Sequence, residues 1–505
     1  MDNRNLLFVG GDLSGIQKFI YNITSKRAMV SLKGRSAYLK SYTEDVCKKI
    51  LDNPALQNSD MSKEKMKIYC SGGKFYLQMP DSEEVRTSIL EIREKAEKEL
   101  WDKHQGQLSI NIDFVPFVYE GDKVKVDGET GNIGLLWTKI TENFNTLKNQ
   151  KFKSLLLDRY QYFFEVQEVG GNVKVCQITG IEDAEKYELP FKDENGDKES
   201  LYVHKSVKEQ IEKGLELRDK QHFKMLEEYA DGTYLGILRM DVDGLGARFV
   251  KGFESMDKYK DFSGKLDKFF DAENGNLHTI QECYKENLNI VYAGGDDIFV
   301  GGRWDKVIDF ANDVRTQFAS YCKDVLNDTT LSISGGIAIV NAKYPIAKAA
   351  EIAGEAEDAA KKYNNGKKNA FNMFGESVSW NGDFDYVKSY KEQFVTLVEK
   401  CGLSRGILHK IMTYAAIVKE NQTIEEENKN RNYKRKPDMS YLWHAAYYLT
   451  RFMGKEKENK VVYDFCKDLR DKQLVKTDNY RLVSLAARWA ELELREIKDI
   501  INNKK

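Results

Sequence analysis

A chain of 505 residues is too long for one ordinary core, and at roughly 100–200 residues per domain it should hold three or four. Its 78 Lys and Arg against 80 Asp and Glu leave a net charge of -2, so bulk charge marks neither a nucleic-acid nor a membrane binder, and any basic groove must be local. No apolar run reaches the ~18 residues of a spanning helix, no basic segment precedes an apolar core at the N-terminus, and the seven cysteines include no Cys-x-x-Cys pair; a soluble cytoplasmic protein without zinc ribbon or disulfide framework is expected.

In chain order, Leu6 to Gly11 reads as a buried strand that passes through an acidic turn, Asp12-Leu13-Ser14-Gly15, into a helix. The run Asp81 to Lys103 has helical spacing, and Leu108 to Val118 alternates like a returning strand. Far downstream the pattern recurs: Tyr234 to Met240 is strand-like and Asp241-Val242-Asp243-Gly244-Leu245 repeats the Asp-x-(Ser/Asp)-Gly-(Ile/Leu) start. Two copies of one unit are expected. Each also carries a Gly-Gly hairpin, Ile68 to Leu77 in the first copy and Asn289 to Gly302 in the second, because Gly-Gly permits the positive φ of a tight turn. Aligned on those glycines, Lys74-Phe75 replaces Asp296-Asp297, so the first copy reads as degenerate. In the second copy, Trp304 to Leu326 reads as a long helix and Leu331 to Val340 as a strand. Pro345 then opens an alanine-rich helix that ends at Asn364-Asn365-Gly366.

Between the copies, residues 135–228 read as a mostly helical insert, with Pro190 and Asp193 to Asp197 in a loop and Cys176 as a core thiol. After about residue 380 the chain turns helical again. There Tyr441 to Leu449 reads as bundle core with His444 a satisfied neighbour, and Asn428 to Lys436 is the most basic run, a solvated loop or an RNA contact. The expected division is 1–134 first palm, 135–228 insert without zinc ligands, 229–380 second palm and 381–505 C-terminal helical domain. The fold class is α/β (α+β), with two ferredoxin-like polymerase/cyclase palms and two mainly helical domains.

The adjacent Asp296 and Asp297 would repel each other without a cation, and Mg²⁺ takes oxygen ligands, waters and substrate phosphates. A strand-end Asp opposite a hairpin carboxylate pair is the arrangement by which polymerase palms and class III nucleotide cyclases hold two metal ions. Asp241, Asp296 and Asp297 are therefore the candidate catalytic residues, and with the backbone of Val242 the candidate ligands of two Mg²⁺ (or Mn²⁺) ions. Asp243 either contacts substrate or caps the following helix. Gly294 and Gly295 would let a nucleotide approach the backbone.

The sequence Gly-Asp-Leu-Ser-Gly-Ile-Gln-Lys-Phe-Ile at 11–20, Asp-Val-Asp-Gly-Leu-Gly at 241–246, Gly-Gly-Asp-Asp at 294–297, the alanine-rich helix into Lys361, and Asn-Met-Phe-Gly at 372–375 together resemble the large polymerase-cyclase subunit of type III CRISPR effector complexes. The resemblance implies adenylyl transfer from ATP to a 3′-hydroxyl, producing cyclic oligoadenylate and pyrophosphate when the complex binds target RNA. It implies an acceptor nucleotide at the first palm (Asp12, Ser14, Gly72, Gly73) and a triphosphate contact for Lys361 and Lys367, which the helix macrodipole would otherwise explain. Implied partners are the other complex subunits, guide RNA and target RNA, with no membrane. The chain starts at the first palm, so the family's His-Asp nuclease activity is not expected. S-adenosylmethionine is an alternative acceptor of AMP, and a diguanylate-cyclase-like enzyme and a non-catalytic scaffold are the competing classes.

Overall fold

The computed structural model describes residues 5–23, 27–57, 59–158, 160, 174–192, 196–230, 234–429, 434–473 and 477–503. The chain divides into two compact units, Met1–Glu357 and Asp358–Lys505. Among the described residues no helix is long and apolar enough to cross a membrane.

The first unit opens with β1 (Leu6–Ser14), α1 (Ile16–Tyr21) and α2 (Ala28–Leu51), followed by the hairpin β2 (Lys67–Ser71) and β3 (Lys74–Pro80). Helix α3 (Glu83–His104), strands β4 (Ser109–Glu120), β5 (Lys123–Val126) and β6 (Glu129–Gly131), and α4 (Gly134–Lys148) follow. The sheet order is β2-β3-β1-β4-β5-β6. Strand alternation sends Leu7 and Val9 to one face, where they join Met29 and Val46 of α2 and Ile89 and Leu100 of α3. Leu6 and Phe8 point to the other, where α4 supplies Trp137, Ile140 and Phe144. The Phe8 and Trp137 rings lie 4.8 Å apart. Gly10 makes this approach possible, since a Cβ there would meet Phe144 at 2.7 Å. Burying both faces explains why β1 reads as a continuous apolar run.

The described part of residues 135–228 is mostly helical, with one strand pair that the sequence reading did not include. This is a hairpin, β7 (Glu185–Lys192) with β8 (Lys198–Val203), whose alternation is masked in the sequence by charged residues on its outer face. Pro190 lies inside β7 and not in a loop, at a register shift where no ladder donor is needed. Residues 193–195 of the expected loop are outside the described residues. Cys176 is buried, and all seven cysteines are free thiols.

The second copy comprises β9 (Tyr234–Asp243), α5 (Leu245–Lys251), α6 (Met256–Phe270), β10 (Leu288–Gly294), β11 (Asp297–Arg303), α7 (Trp304–Tyr321), β12 (Ser332–Asn341) and α8 (Ile346–Gly366). Its strands run β10-β11-β9-β12, the order of β2-β3-β1-β4. The registers agree too. Asp12 pairs with Lys74 and Asn111, as Asp241 pairs with Asp297 and Ser334. The α/β fold with two ferredoxin-like sheets is thus the observed fold.

Two details differ from the sequence reading. Asp12 and Asp241 lie within strands, not in turns; the turns fall at Gly15 and Gly244, with φ of 91° and 74°. The hairpins are also offset by one residue. In the first copy the turn is Gly72-Gly73, whereas in the second Gly294 still pairs with Asp297 and the turn is Gly295-Asp296. Lys74 therefore stands where Asp297 does, and Gly73 where Asp296 does; Phe75 corresponds to Ile298. Matching the glycine pairs by letter misses this, because the turn type and not the glycine count sets hairpin register.

In the second unit, the regular part of α8 gives way at Tyr363, and Asn364, Asn365 and Gly366 adopt positive φ. Lys361 sits on the last regular turn and Lys367 is exposed beyond it. Asn372 and Met373 belong to β13 (Ala370–Met373), paired with β14 (Glu376–Ser379). Helices α9 (Gly406–Asn428), α10 (Ser440–Met453) and α11 (Thr477–Asn503) follow. Tyr441, Ala445 and Leu449 of α10 are buried, but Trp443 and Tyr447 are 61% and 58% exposed, so the aromatic stripe is only half core. His444 stacks on Trp443 at 3.5 Å. Residues 430–433 of the basic run are outside the described residues; its flanks are joined by Asn428 and Arg435.

Candidate functional site

The paired registers bring the two acidic strand ends of the second copy side by side. One carboxylate oxygen each from Asp241, Asp297 and Glu357 lie within 4.8 Å of one another, the one such cluster among the described residues. Asp241 lies two residues before the end of β9, Asp297 opens β11, and Glu357 comes from α8. Helix α8 can lie against β12 because Gly336 has no side chain: a Cβ there would stand 2.3 Å from the Glu357 amide nitrogen. Burial, then the charges of Asp241 and Asp296, push the Asp297 carboxyl well above the usual carboxylate range. Glu357 is paired with Arg239 at 3.1 Å.

Asp296 occupies the turn and is not part of this triplet. It lines a cavity of about 460 Å³ together with Asp297, Arg239 and Gly294 of the second copy and Asp12, Ser14, Gly72, Lys74 and Lys148 of the first. That is a size suited to a small ligand. The Val242 amide donates to the Asp296 carbonyl at 3.3 Å, tying the turn to the strand end. Asp243 does not cap a helix. Its carboxylate accepts from the Ser332 and Ser334 hydroxyls at 2.7 and 2.8 Å, and the residue preceding α5 is Gly244, with no side-chain cap. Asp243 is 6% exposed, and both hydroxyls hold it against β12.

The first copy has the same scaffold with the charge reversed. Lys74 takes the position of Asp297, and Lys148 of α4 reaches Asp12 at 2.7 Å. An acid that could have shared a cation is neutralised by an amine. Ser14 accepts from Asn111 Nδ2 at 3.0 Å. The copies meet through their turns: a Cβ on Gly72, at φ 60°, would lie 3.1 Å from the Gly295 amide nitrogen and 3.2 Å from the Gly294 carbonyl oxygen. A second cavity, of about 450 Å³, has Gly72, Gly73, Gly294 and Gly295 in its wall with Lys33, Lys40, Asp267 and Lys268. Lys361 and Lys367 belong to the second unit and are not among the residues of either cavity.

Sequence reasoning missed four residues here. Glu357 and Arg239 complete the cluster, Lys148 neutralises Asp12, and Tyr21 brings an aromatic ring of the first copy onto Phe299 at 4.7 Å. Burial raises the Tyr21 hydroxyl, Arg239 lowers it, and Asp297 and Glu357 raise it again, which puts that ring among the charges of the second copy.

Residues 234–372 match the profile of the Cas10/Cmr2 second palm domain, and residues 5–167 that of Csm1 subunit domain B. The chain belongs to the Cas10 family. Among curated Cas10 relatives, the subtype III-A Cas10/Csm1 single-strand-specific deoxyribonuclease of Enterococcus italicus is 25% identical over 456 residues, covering 78% of this chain and 57% of the relative. That of Streptococcus thermophilus is 25% identical, covering 75% and 54%. The chain thus spans little more than half the length of these relatives. Solved Csm1–Csm4 cassettes share the Cas10 fold: the complex with pppApApA aligns with a TM-score of 0.64 at 20% identity over 97% of this chain and 69% of that one. The complex with cA4 aligns with a TM-score of 0.62 over 97% and 70%.

Proposed function

We infer that this Cas10 chain is an adenylyl transferase that joins ATP molecules into cyclic oligoadenylate, working within a type III CRISPR complex switched on by target RNA. The observation that carries the reading is the Asp241–Asp297–Glu357 cluster set against a ligand-sized cavity shared by two copies of one palm, of which the first keeps Asp12 alone, paired with Lys148. Relatives of the same fold are described in complex with pppApApA and cA4, which supports adenylate as the substrate class.

The donor set suits a hard divalent cation. All three side chains offer oxygen, none offers nitrogen or sulfur, and the crowding that raises Asp297 is the kind an Mg²⁺ or Mn²⁺ ion relieves. Asp241 and Asp297 would hold the metal, with Asp296 and the Val242 backbone as further contacts. When bound, such ions lower the pKa of an attacking hydroxyl and neutralise charge on the triphosphate. The remaining work falls to positioning. The Gly294–Gly295 backbone leaves room for a nucleotide to lie on the turn, and the half-buried Tyr21 ring and the buried Phe299 ring exclude water from one side. Asp12, neutralised by Lys148, presents no free anion to repel an acceptor's phosphate, which suits Ser14, Gly72, Gly73 and Lys74 to the acceptor. Asp243 supports the site through β12.

The four-part division at 134, 228 and 380 is proposed as the functional partition, with α4 moved from the insert to the first palm, on whose sheet it packs. Proposed partners are a Csm4-type subunit, as in the solved cassettes, together with guide and target RNA. The test is to incubate the assembled complex with labelled ATP, Mg²⁺ and target RNA, with and without S-adenosylmethionine, and to weigh the products. Cyclic oligoadenylate supports the reading, an AMP–S-adenosylmethionine conjugate moves it to the other acceptor, and no ATP-derived product leaves a scaffold or a guanylate enzyme.

A further inference from the structure

Arg239 lies two residues before Asp241 on β9, and its Nη2 stands 3.1 Å from Oε2 of Glu357, with the two side chains 15% and 5% exposed. Glycines make room on both sides of this pair. Gly336 lets the backbone of α8 lie against β12 at Glu357, and a Cβ on Gly354, one turn before Glu357, would stand 2.5 Å from Arg239 Nη1. A buried ion pair seldom stabilises a fold by more than its desolvation costs, so its position beside two aspartates points to an electrostatic role. Three carboxylates and one guanidinium share this space, and the guanidinium also borders the cavity.

Resting on the reading of this cluster as a divalent-cation site, the geometry points to Arg239 and Glu357 as a positioning pair that fixes how much negative charge Asp241 and Asp297 present to the cation. Arg239 holds Glu357 and cancels its charge, so Glu357 stands within reach of the ion without ligating it. Of the three clustered side chains, the two aspartates alone bind. Removing either member of the pair then changes the local charge by one unit in opposite directions, and removing both restores it.

The probe is Mn²⁺ alone, titrated against the full chain and followed by electron paramagnetic resonance. Arg239→Gln is expected to tighten Mn²⁺ binding by roughly tenfold and Glu357→Gln to weaken it by roughly tenfold, the low end of the Coulomb range for one charge acting on a divalent ion over a few ångströms. The double variant is expected to return to within about threefold of the wild type, as is Arg239→Lys. A double variant as weak as Glu357→Gln would make Glu357 a direct ligand and overturn the proposal. Single variants that both weaken binding, or leave it unchanged, would overturn it equally. Should Arg239→Gln fail to fold, as judged by circular dichroism, Glu357→Gln against the double variant still decides: recovery supports the pair and no recovery refutes it. A folded wild-type chain that binds no Mn²⁺ overturns the cation reading itself, and the pair with it.

Discussion

Replacing Asp297 by Asn should stabilise the metal-free protein while removing its response to Mg²⁺. The Asp297 carboxylate has oxygens of Asp241 and Glu357 within 4.8 Å, and Arg239 pairs with the second. At an effective dielectric near 20, one like-charge pair at that distance is worth about 3.5 kcal/mol of repulsion. Screening and relaxation leave about 1–2 kcal/mol of this for Asn to recover where the raised carboxyl is ionised. The sign follows from linkage. A carboxyl raised on folding favours the folded state fully below its unfolded value near 3.8, and that advantage is lost as pH climbs through the folded value. The gain from Asn should therefore be small in acid and grow toward alkaline pH. Thermal unfolding of wild type and variant at about pH 6 and about pH 9, with and without Mg²⁺, measures it. The variant should melt a few degrees higher without metal at the alkaline end, and Mg²⁺ should raise the melting temperature of the wild type alone. A variant no more stable than wild type at alkaline pH, or one that gains equally from Mg²⁺, would refute the reasoning.

Three further outcomes are expected. Lys148→Met should destabilise the protein by about 1–2 kcal/mol in urea unfolding by leaving the buried Asp12 uncompensated, and adding Asp12→Asn should recover most of the loss. Gly72→Ala should lower product formation more than it lowers stability, because its methyl group would press on the Gly294–Gly295 backbone; backbone strain alone is worth about 1 kcal/mol, so an unfolding shift far above that with normal activity would contradict it. His104, pushed down to about 3 by burial and then by the Arg35 charge, should make the fold lose stability as pH falls below the ordinary histidine value of about 6.5. His104→Gln, keeping a partner for the Tyr38 hydroxyl 2.8 Å away, should flatten that acid limb in a pH series of melting temperatures.

What the sequence made legible was whatever local periodicity encodes. The continuous apolar run of Leu6 to Val9, the repeated Asp-x-x-Gly starts and the helices after each hairpin are short-range patterns, and the two sheets follow from them. Register was not legible, because a bulge in each hairpin (between Lys67 and Tyr69, and between Ile290 and Tyr292) and a shifted turn leave no mark in the letters. Glu357 was hidden among the acids of an alanine-rich helix. A signal existed: Ala349, Ala350, Ala353 and Ala360 are buried, and Glu357 falls on the same face, four residues after Ala353 and three before Ala360. A single acid on a face of small buried residues needs a partner, and Arg239 sits at the matching level of β9. The exposed Trp443 and Tyr447 escaped for the opposite reason, since an aromatic stripe reads as core whether or not a neighbour covers both sides.

The one-residue offset between the hairpins bears on how a silent half could be woken. Judged by letters, a second acidic centre would call for aspartates at 74 and 75, but Phe75 is fully buried and an acid there would break the sheet. Register instead makes Lys74→Asp the restoring change, with Lys148 removed so that Asp12 is released. The counterpart of Asp296 would have to go at Gly73, where φ is 79° and a Cβ would strike Ile16 at 2.3 Å. The duplicate is thus closed to a full acidic set by backbone conformation as well as by charge, and the chain's asymmetry is a property of its main chain that substitution alone does not undo.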